Sequence, residues 1–112
     1  MNPLTSDQLK LETFLPCLNT KFRVGVDPAS FVELELAEAS DLNPASRSQP
    51  GKGPELVSFS LIFNGPDNRF LPQQIHAFAH DRIGRFELFI VPIGQKPGII
   101  QYQAVFSRLV QR

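Results

Sequence analysis

Few residues in this sequence have side chains suited to catalysis or metal binding. The two histidines, His76 and His80, lie four positions apart in an alternating segment, and Asp81 follows directly. On an extended strand, positions i and i+4 share a face but lie roughly 13 Å apart, too far to ligate one metal ion. The metalloprotease motif needs that spacing on a helix beside a glutamate. His76, His80 and Asp81 are therefore only weak candidates for a metal site. We expect His80 to hydrogen-bond the backbone at a hairpin corner and His76 to be a half-exposed strand residue.

The single cysteine, Cys17, is the only thiol nucleophile that the chain offers. Nucleophilic catalysis would need a histidine beside it and hydrogen-bond donors for an oxyanion. Because Cys17 lies between Pro16 and Leu18 in an apolar stretch, we expect a small buried apolar residue instead. One cysteine cannot form an internal disulfide, which fits a reducing compartment.

Two pairs of carboxylates and one glycine-rich segment complete the candidates. The pairs Glu33/Glu35 and Glu35/Glu38 lie on or near the polar face of an alternating segment, where a solvated strand face is expected. The segment 51–53 (Gly-Lys-Gly) lacks the spacing and the following helix of a phosphate-binding loop. We therefore predict no catalytic residues and no cofactor.

The composition is that of a globular protein and excludes several classes of partner. The 112 residues are 42% hydrophobic, and 11 basic side chains balance 11 acidic ones. A chain with no net charge has no global attraction to nucleic acid or to anionic lipid. The N-terminus lacks the pattern of a secretory signal, and no apolar run is long enough to span a bilayer. We expect a single domain over residues 1–112, located in the cytoplasm, with no nucleic acid or membrane partner.

The first half of the chain predicts one helix and one hairpin. Thr5 and Gln8 have the spacing of a capping box, and Pro16 interrupts the apolar pattern, so we expect a helix over about residues 5–15. Residues 20–26 and 31–38 alternate apolar and polar side chains on either side of a turn at 27–30. Residues 40–54 are rich in proline, glycine and serine, and we expect a long mobile surface loop there.

The second half, residues 55–106, holds most of the expected core. The segments 56–63, 73–80, 85–93 and 99–108 have strand patterns, and most of the ten phenylalanines lie in them. Segment 85–93 is apolar on both faces, so it needs cover on both sides. We predict an all-β fold, a small antiparallel barrel or sandwich of about six or seven strands with one short N-terminal helix.

The second apolar face of segment 85–93 is the candidate interaction surface. Phe89, Val91 and Ile93 lie opposite the expected core residues of their strand, and we place Phe78 beside them on a neighbouring strand. If the helix leaves them uncovered, these four residues form an apolar patch typical of an interface. The alternative is that this face is the second side of a closed fold.

Several short motifs together resemble an uncharacterised bacterial family of single-domain proteins. They are the segment 59–66 (Phe-Ser-Leu-Ile-Phe-Asn-Gly-Pro), the segment 86–94 (Phe-Glu-Leu-Phe-Ile-Val-Pro-Ile-Gly) and the segment 102–106 (Tyr-Gln-Ala-Val-Phe). The segment 81–83 departs from the resemblance, which has Pro-Glu-Leu before the glycine. The resemblance implies no assigned activity, and it associates the family with phage-tail-like particles.

These observations favour a non-enzymatic interaction or assembly module over an enzyme. Its expected partner is another protein or a second copy of the chain, within a phage-tail-like or other multi-protein particle. The alternative is a small-ligand or metal-binding barrel that uses His76, His80, Asp81 and the mouth of the barrel.

Overall fold

A computed structural model describes residues 9–42 and 55–110. Within these ranges the chain forms one short helix, a 3₁₀ turn and six strands. Their bounds are α1 Leu11–Phe14, the 3₁₀ turn Leu15–Cys17, β1 Lys21–Asp27, β2 Ser30–Asp41, β3 Glu55–Pro66, β4 Gln74–His80, β5 Gly84–Lys96 and β6 Ile99–Val110.

The six strands form a closed antiparallel barrel in the order β1-β2-β3-β6-β5-β4, with β4 returning to β1. The contact between β3 and β6 is the longest, with twelve registered pairs from Glu55↔Val110 to Pro66↔Ile99. The contact between β1 and β4 is the shortest, with Arg23 opposite Ala79 and Val24 opposite Phe78. The prediction of a small antiparallel all-β fold with one short helix is confirmed, and the fold is the barrel.

The helix is shorter than predicted. Leu9 and Lys10 lie outside it, Lys10 has extended dihedral angles, and α1 begins at Leu11, so the prediction is wrong at these two positions. The Thr13 hydroxyl accepts the Lys10 N–H at 3.2 Å and thereby satisfies a backbone donor at this end. Pro16 falls in the 3₁₀ turn that follows, as expected of a residue that cannot continue an α-helix. The predicted cap at Thr5 lies outside the described residues.

Aromatic rings fill the barrel, and Phe14 of the helix joins them from one end. Its ring lies 5.8–6.3 Å from the rings of Phe22, Phe59, Phe86 and Phe106. The inward residues alternate along each strand, as predicted for β2, β3 and β6. Towards the other end, the hydroxyl of the buried Tyr102 accepts the backbone N–H of Leu71 at 3.0 Å.

Three β-bulges shift the register of the described strands, and one of them lies between Leu36 and Glu38 of β2. The other two lie in β1 and β5. One lies between Gly25 and Asp27 and leaves Val26 out of register, so Val26 is exposed and not on the inward face where its alternation placed it. The other lies between Pro92 and Gly94, and Pro92 has no N–H to donate to the pairing.

The predicted loop 40–54 begins too early. Ser40 and Asp41 belong to β2 and lie opposite Ser60 and Phe59 of β3. The rest of that prediction, from residue 43 onward, falls outside the described residues. None of the helices described is both long and apolar enough to cross a membrane.

Candidate functional site

His80 lies at the end of β4 and is hydrogen-bonded through both ring nitrogens. Its Nδ1 accepts the backbone N–H of Arg82 at 3.0 Å and that of Ile83 at 3.4 Å. The Thr20 hydroxyl donates to the Cys17 carbonyl, so it accepts from His80 Nε2–H at 2.8 Å. The ring also packs on Phe22, with centroids 4.3 Å apart. The expectation that His80 bonds backbone at a hairpin corner is confirmed, while its partner Thr20 was not anticipated.

The cysteine and this histidine are close together. Cys17 Sγ lies 4.0 Å from His80 Nδ1, although the two residues are 63 positions apart in the chain. In a nucleophilic pair, the imidazole would accept the thiol proton. Here the Nδ1 lone pair already receives the backbone N–H of Arg82, so it is not free to act as that base. The contact therefore joins the 3₁₀ turn to the end of β4 without activating the thiol.

Burial shifts both groups toward their neutral forms. Desolvation raises the pKa of the Cys17 thiol, and Arg82 offsets only part of that shift. Desolvation also lowers the pKa of His80, with Asp81 opposing the shift and Arg23 and Arg82 adding to it. A protonated thiol is a poor nucleophile. The prediction that Cys17 is a buried apolar residue is confirmed.

His76 is buried at 6% exposure, so the prediction of a half-exposed residue is wrong. Its Nε2 donates to the backbone carbonyl of Pro72 at 2.8 Å. Polar side chains can be buried when they find such a partner, because the hydrogen bond offsets the loss of water. The partner comes from the segment that precedes β4, which the alternation of β4 itself does not reveal.

The three weak metal candidates are each engaged separately. His76 bonds Pro72, His80 bonds Thr20 and Arg82, and Asp81 accepts from the Arg23 guanidinium at 3.0 Å. No cluster of three or more potential metal ligands occurs among residues 9–42 and 55–110. The described geometry thus favours no metal site at His76, His80 and Asp81.

The glutamates of β2 border a groove instead of an acid–base pair. The groove has a volume of about 550 Å³ and lies between the hairpin end of β2 and the paired ends of β3 and β6. Glu33 and Glu35 line it together with Lys21 and Arg69, and Glu38 lies outside it. Its remaining lining residues are Phe31, Val32, Asn64, Gly65, Pro66, Gly98 and Ile99. The lining of the groove is thus part charged and part apolar.

The outer face of β4 and β5 carries an apolar patch. Ile75 and Phe89 lie opposite one another in register and are 62% and 50% exposed. Ile93 further along β5 and Val105 of β6 are also about half exposed. Residues directly opposite on one face of a sheet are close neighbours, so Ile75 and Phe89 form the centre of the patch.

The patch differs from the predicted one at Phe78, Ile75 and Val105. Phe78 is fully buried in the barrel, where its ring stacks on that of Phe86 with centroids 5.6 Å apart. The prediction that Phe78 belongs to the interaction surface is therefore wrong. Ile75 and Val105 were missed. The alternation of β4 contained the signal for Ile75, because that residue lies on the face opposite to Phe78. Phe89 and Ile93 are exposed, and Val91 is partly buried.

Comparison with known proteins identifies the family. The sequence matches the family described as Domain of unknown function (DUF6916) over residues 9–106. The chain belongs to the DUF6916 family. The DUF6916 match begins at the buried Leu9 and ends at Phe106, whose ring packs against Phe14, so it spans the barrel and its helix. The resemblance to a family of unknown function is confirmed. No curated protein and no solved structure matches the chain.

Proposed function

We propose that this DUF6916 domain is a non-enzymatic protein-interaction module whose partner docks on the outer face of β4 and β5. The observation that carries the proposal is the registered pair of Ile75 and Phe89, both at least half exposed. A strand face that projects into water is normally polar. Large apolar side chains gathered on such a face are the usual mark of a protein interface.

The chemistry of the interior supports the same proposal. The groups best suited to catalysis, the Cys17 thiol and the His80 imidazole, are buried and neutral, and both ring nitrogens of His80 are hydrogen-bonded. The patch, by contrast, is accessible and borders the exposed Glu87 of β5, which lies opposite Ala77. An apolar centre with a polar margin is the common composition of an interface.

The partner is another protein or a second copy of this chain. The sequence resemblance to a family associated with phage-tail-like particles would make the partner another component of a multi-protein particle. An exposed phenylalanine at the centre of the patch is the side chain expected to contribute most to binding, because large aromatic residues dominate such interfaces.

The first test separates self-association from binding to another protein. Sedimentation velocity of the purified chain over a hundredfold range of concentration detects a second copy as partner. If the chain self-associates, Phe89→Glu should raise the protein concentration at which half of the chain is associated by at least tenfold. The matched control is Phe70→Glu, which charges an exposed phenylalanine in the segment between β3 and β4. Both variants should retain the melting temperature of the wild type within a few degrees.

The second test looks for a different protein partner in the source cell. A photo-crosslinking amino acid at position 89 should give one discrete adduct that is lost when Ile75→Glu is added, whereas the same group at position 70 should not. A chain that sediments as a monomer at every concentration and gives no adduct specific to position 89 would refute the proposed function.

A further inference from the structure

The groove beside β2 contains a free strand edge. The pairing of β2 with β3 ends at Glu35↔Asn64, although β2 begins at Ser30 and β3 continues to Pro66. On its other side β2 is paired with β1 from Lys21↔Glu35 through Asp27↔Ser30. One edge of β2 over residues 30–34 therefore has no registered strand among the described residues.

The direction of the backbone groups follows from the hydrogen bonds of Leu36. Its N–H donates to Thr20 O and its carbonyl accepts from Asn19 N–H, so both groups point toward the β1 side. Along a strand the backbone groups of successive residues point to opposite sides. Those of Leu34 and Val32 thus point toward β1, and those of Phe31 and Glu33 point toward the groove.

The side chains at this edge are suited to a particular type of peptide. Phe31 is half exposed, and together with Val32, Pro66 and Ile99 it supplies the apolar part of the lining. The cation opposite Glu33 in register is Arg23, whose guanidinium is bound to Asp81. Lys21 and Arg69 also line the groove, but the Glu33 carboxylate forms no ion pair with either of them among the described residues. It is placed to receive a cation from a ligand.

We infer that the groove is a peptide-binding site in which an extended segment of a partner protein adds a strand to the free edge of β2. The backbone of the peptide bonds the N–H and carbonyl groups of Phe31 and Glu33. A basic side chain of the peptide pairs with Glu33, and an apolar side chain on the same face packs on Phe31. Addition of a strand to an open sheet edge is a common mode of peptide recognition. This site is separate from the apolar patch around Ile75 and Phe89.

The premise is tested by amide hydrogen exchange on the full chain without a ligand. The Val32 and Leu34 amides, which point to β1, should exchange slowly, and those of Phe31 and Glu33 should exchange at least tenfold faster. Slow exchange at Phe31 and Glu33 would show that the edge is already covered, and it would overturn the inference.

The ligand is tested with a phage-displayed library of random nine-residue peptides selected on the immobilised chain. The selected peptides should carry a lysine or arginine two positions from a large apolar residue. In fluorescence anisotropy, Glu33→Lys should weaken the binding of a synthetic selected peptide by about five- to tenfold. The matched control Glu38→Lys alters the same side chain on the same strand outside the groove and should change the affinity by less than about twofold.

Methylation of the peptide nitrogens distinguishes strand addition from binding by side chains alone. Methyl groups on the alternate nitrogens that face β2 should lower the affinity by at least about tenfold, because each removes a donor at the paired edge. Methyl groups on the intervening nitrogens should have little effect. The inference would be overturned if methyl groups at both sets of nitrogens lowered the affinity equally. It would also be overturned if the library gave no peptides that bind the wild-type chain better than the Glu33→Lys chain. Phe89→Glu should leave peptide binding unchanged, so failure here is distinguishable from failure of the proposed function.

Discussion

Gly65 lies near the end of β3 at a point where no side chain fits. A methyl group at this position would lie 2.5 Å from Cδ2 of Leu34 and 3.3 Å from Cε2 of Tyr102. Both neighbours are fully buried, so neither can rotate into solvent. We therefore predict that Gly65→Ala destabilises the fold through overpacking, although the backbone of Gly65 is not in the left-handed region.

The expected size follows from two opposing contributions. A methylene inserted into a packed core costs typically about 1–3 kcal/mol. Replacing glycine by alanine also restricts the unfolded chain and returns about 0.4–1 kcal/mol. The central values, about 2 and about 0.7 kcal/mol, leave a net loss in free energy of unfolding of about 1.3 kcal/mol. Leu34→Ala alone should cost about 2–5 kcal/mol, as expected for a buried leucine.

The double variant tests whether the contact with Leu34 is the cause. Removal of Leu34 Cδ2 gives the new methyl group room, and that methyl group partly fills the space left behind. The loss in the double variant should therefore be smaller than the sum of the single losses by about 1–3 kcal/mol. Urea unfolding followed by circular dichroism and by the fluorescence of Tyr102, the chain's one tyrosine, measures all four proteins.

A matched glycine controls for the substitution itself. At Gly94 of β5 the nearest atom to an added methyl group, Gln101 Oε1, is 3.9 Å away. Gly94→Ala should leave the stability unchanged within about 0.5 kcal/mol. If Gly65→Ala were equally neutral, or if its loss added to that of Leu34→Ala within about 0.5 kcal/mol, the reasoning would be refuted.

Three further predictions concern the hydrogen-bonded side chains. Because burial lowers the pKa of His80 in the folded protein, the unfolded chain binds a proton more readily. The free energy of unfolding should therefore have its full value above about pH 6.5 and fall as the pH drops below it. The urea midpoint at pH 7.5 and 5.5 measures this fall, which should largely disappear in His80→Gln. Tyr102→Phe leaves the buried Leu71 N–H without its acceptor and should cost about 1–3 kcal/mol in urea unfolding; a neutral result would contradict that role. Arg23→Ala removes an ion pair in which Asp81 is 90% exposed, so a loss above about 1 kcal/mol would contradict its assignment as a surface pair.

The sequence allowed the faces of most strands to be predicted, because apolar and polar residues alternate clearly in them. In β2 and β3 the inward residues Leu34, Leu36, Leu61 and Phe63 all followed from alternation. Alternation fails where a bulge changes the register, and Val26 is exposed for that reason. The bulge on β1 is a local irregularity that the apolar pattern does not contain.

The candidate site could be predicted less well, because its side chains are held by residues distant in the chain. One face of β4 presents His76, Phe78 and His80, which together are neither clearly apolar nor clearly polar. The closed barrel buries all three, since Pro72 accepts a hydrogen bond from His76 and Thr20 accepts one from His80. Thr20 is 60 positions from His80. No local pattern specifies such a pair, so the alternation of β4 alone predicted that Phe78 lies on the surface and that His76 is half exposed.

The same closure explains why the best candidates for function lie on the outside of the barrel. The polar groups of Cys17, Thr20, His76, His80 and Tyr102 all contact a backbone group or one another. Each of them thereby contributes to stability, and a group that must keep its partner to hold the fold cannot readily exchange it for a substrate. The described features that closure does not use are the outer pair of Ile75 and Phe89 and the edge of β2. An apolar patch and an open strand edge are both surfaces that proteins bind. These two outer surfaces, and not the hydrogen-bonded interior, are the features that support the interaction module proposed above.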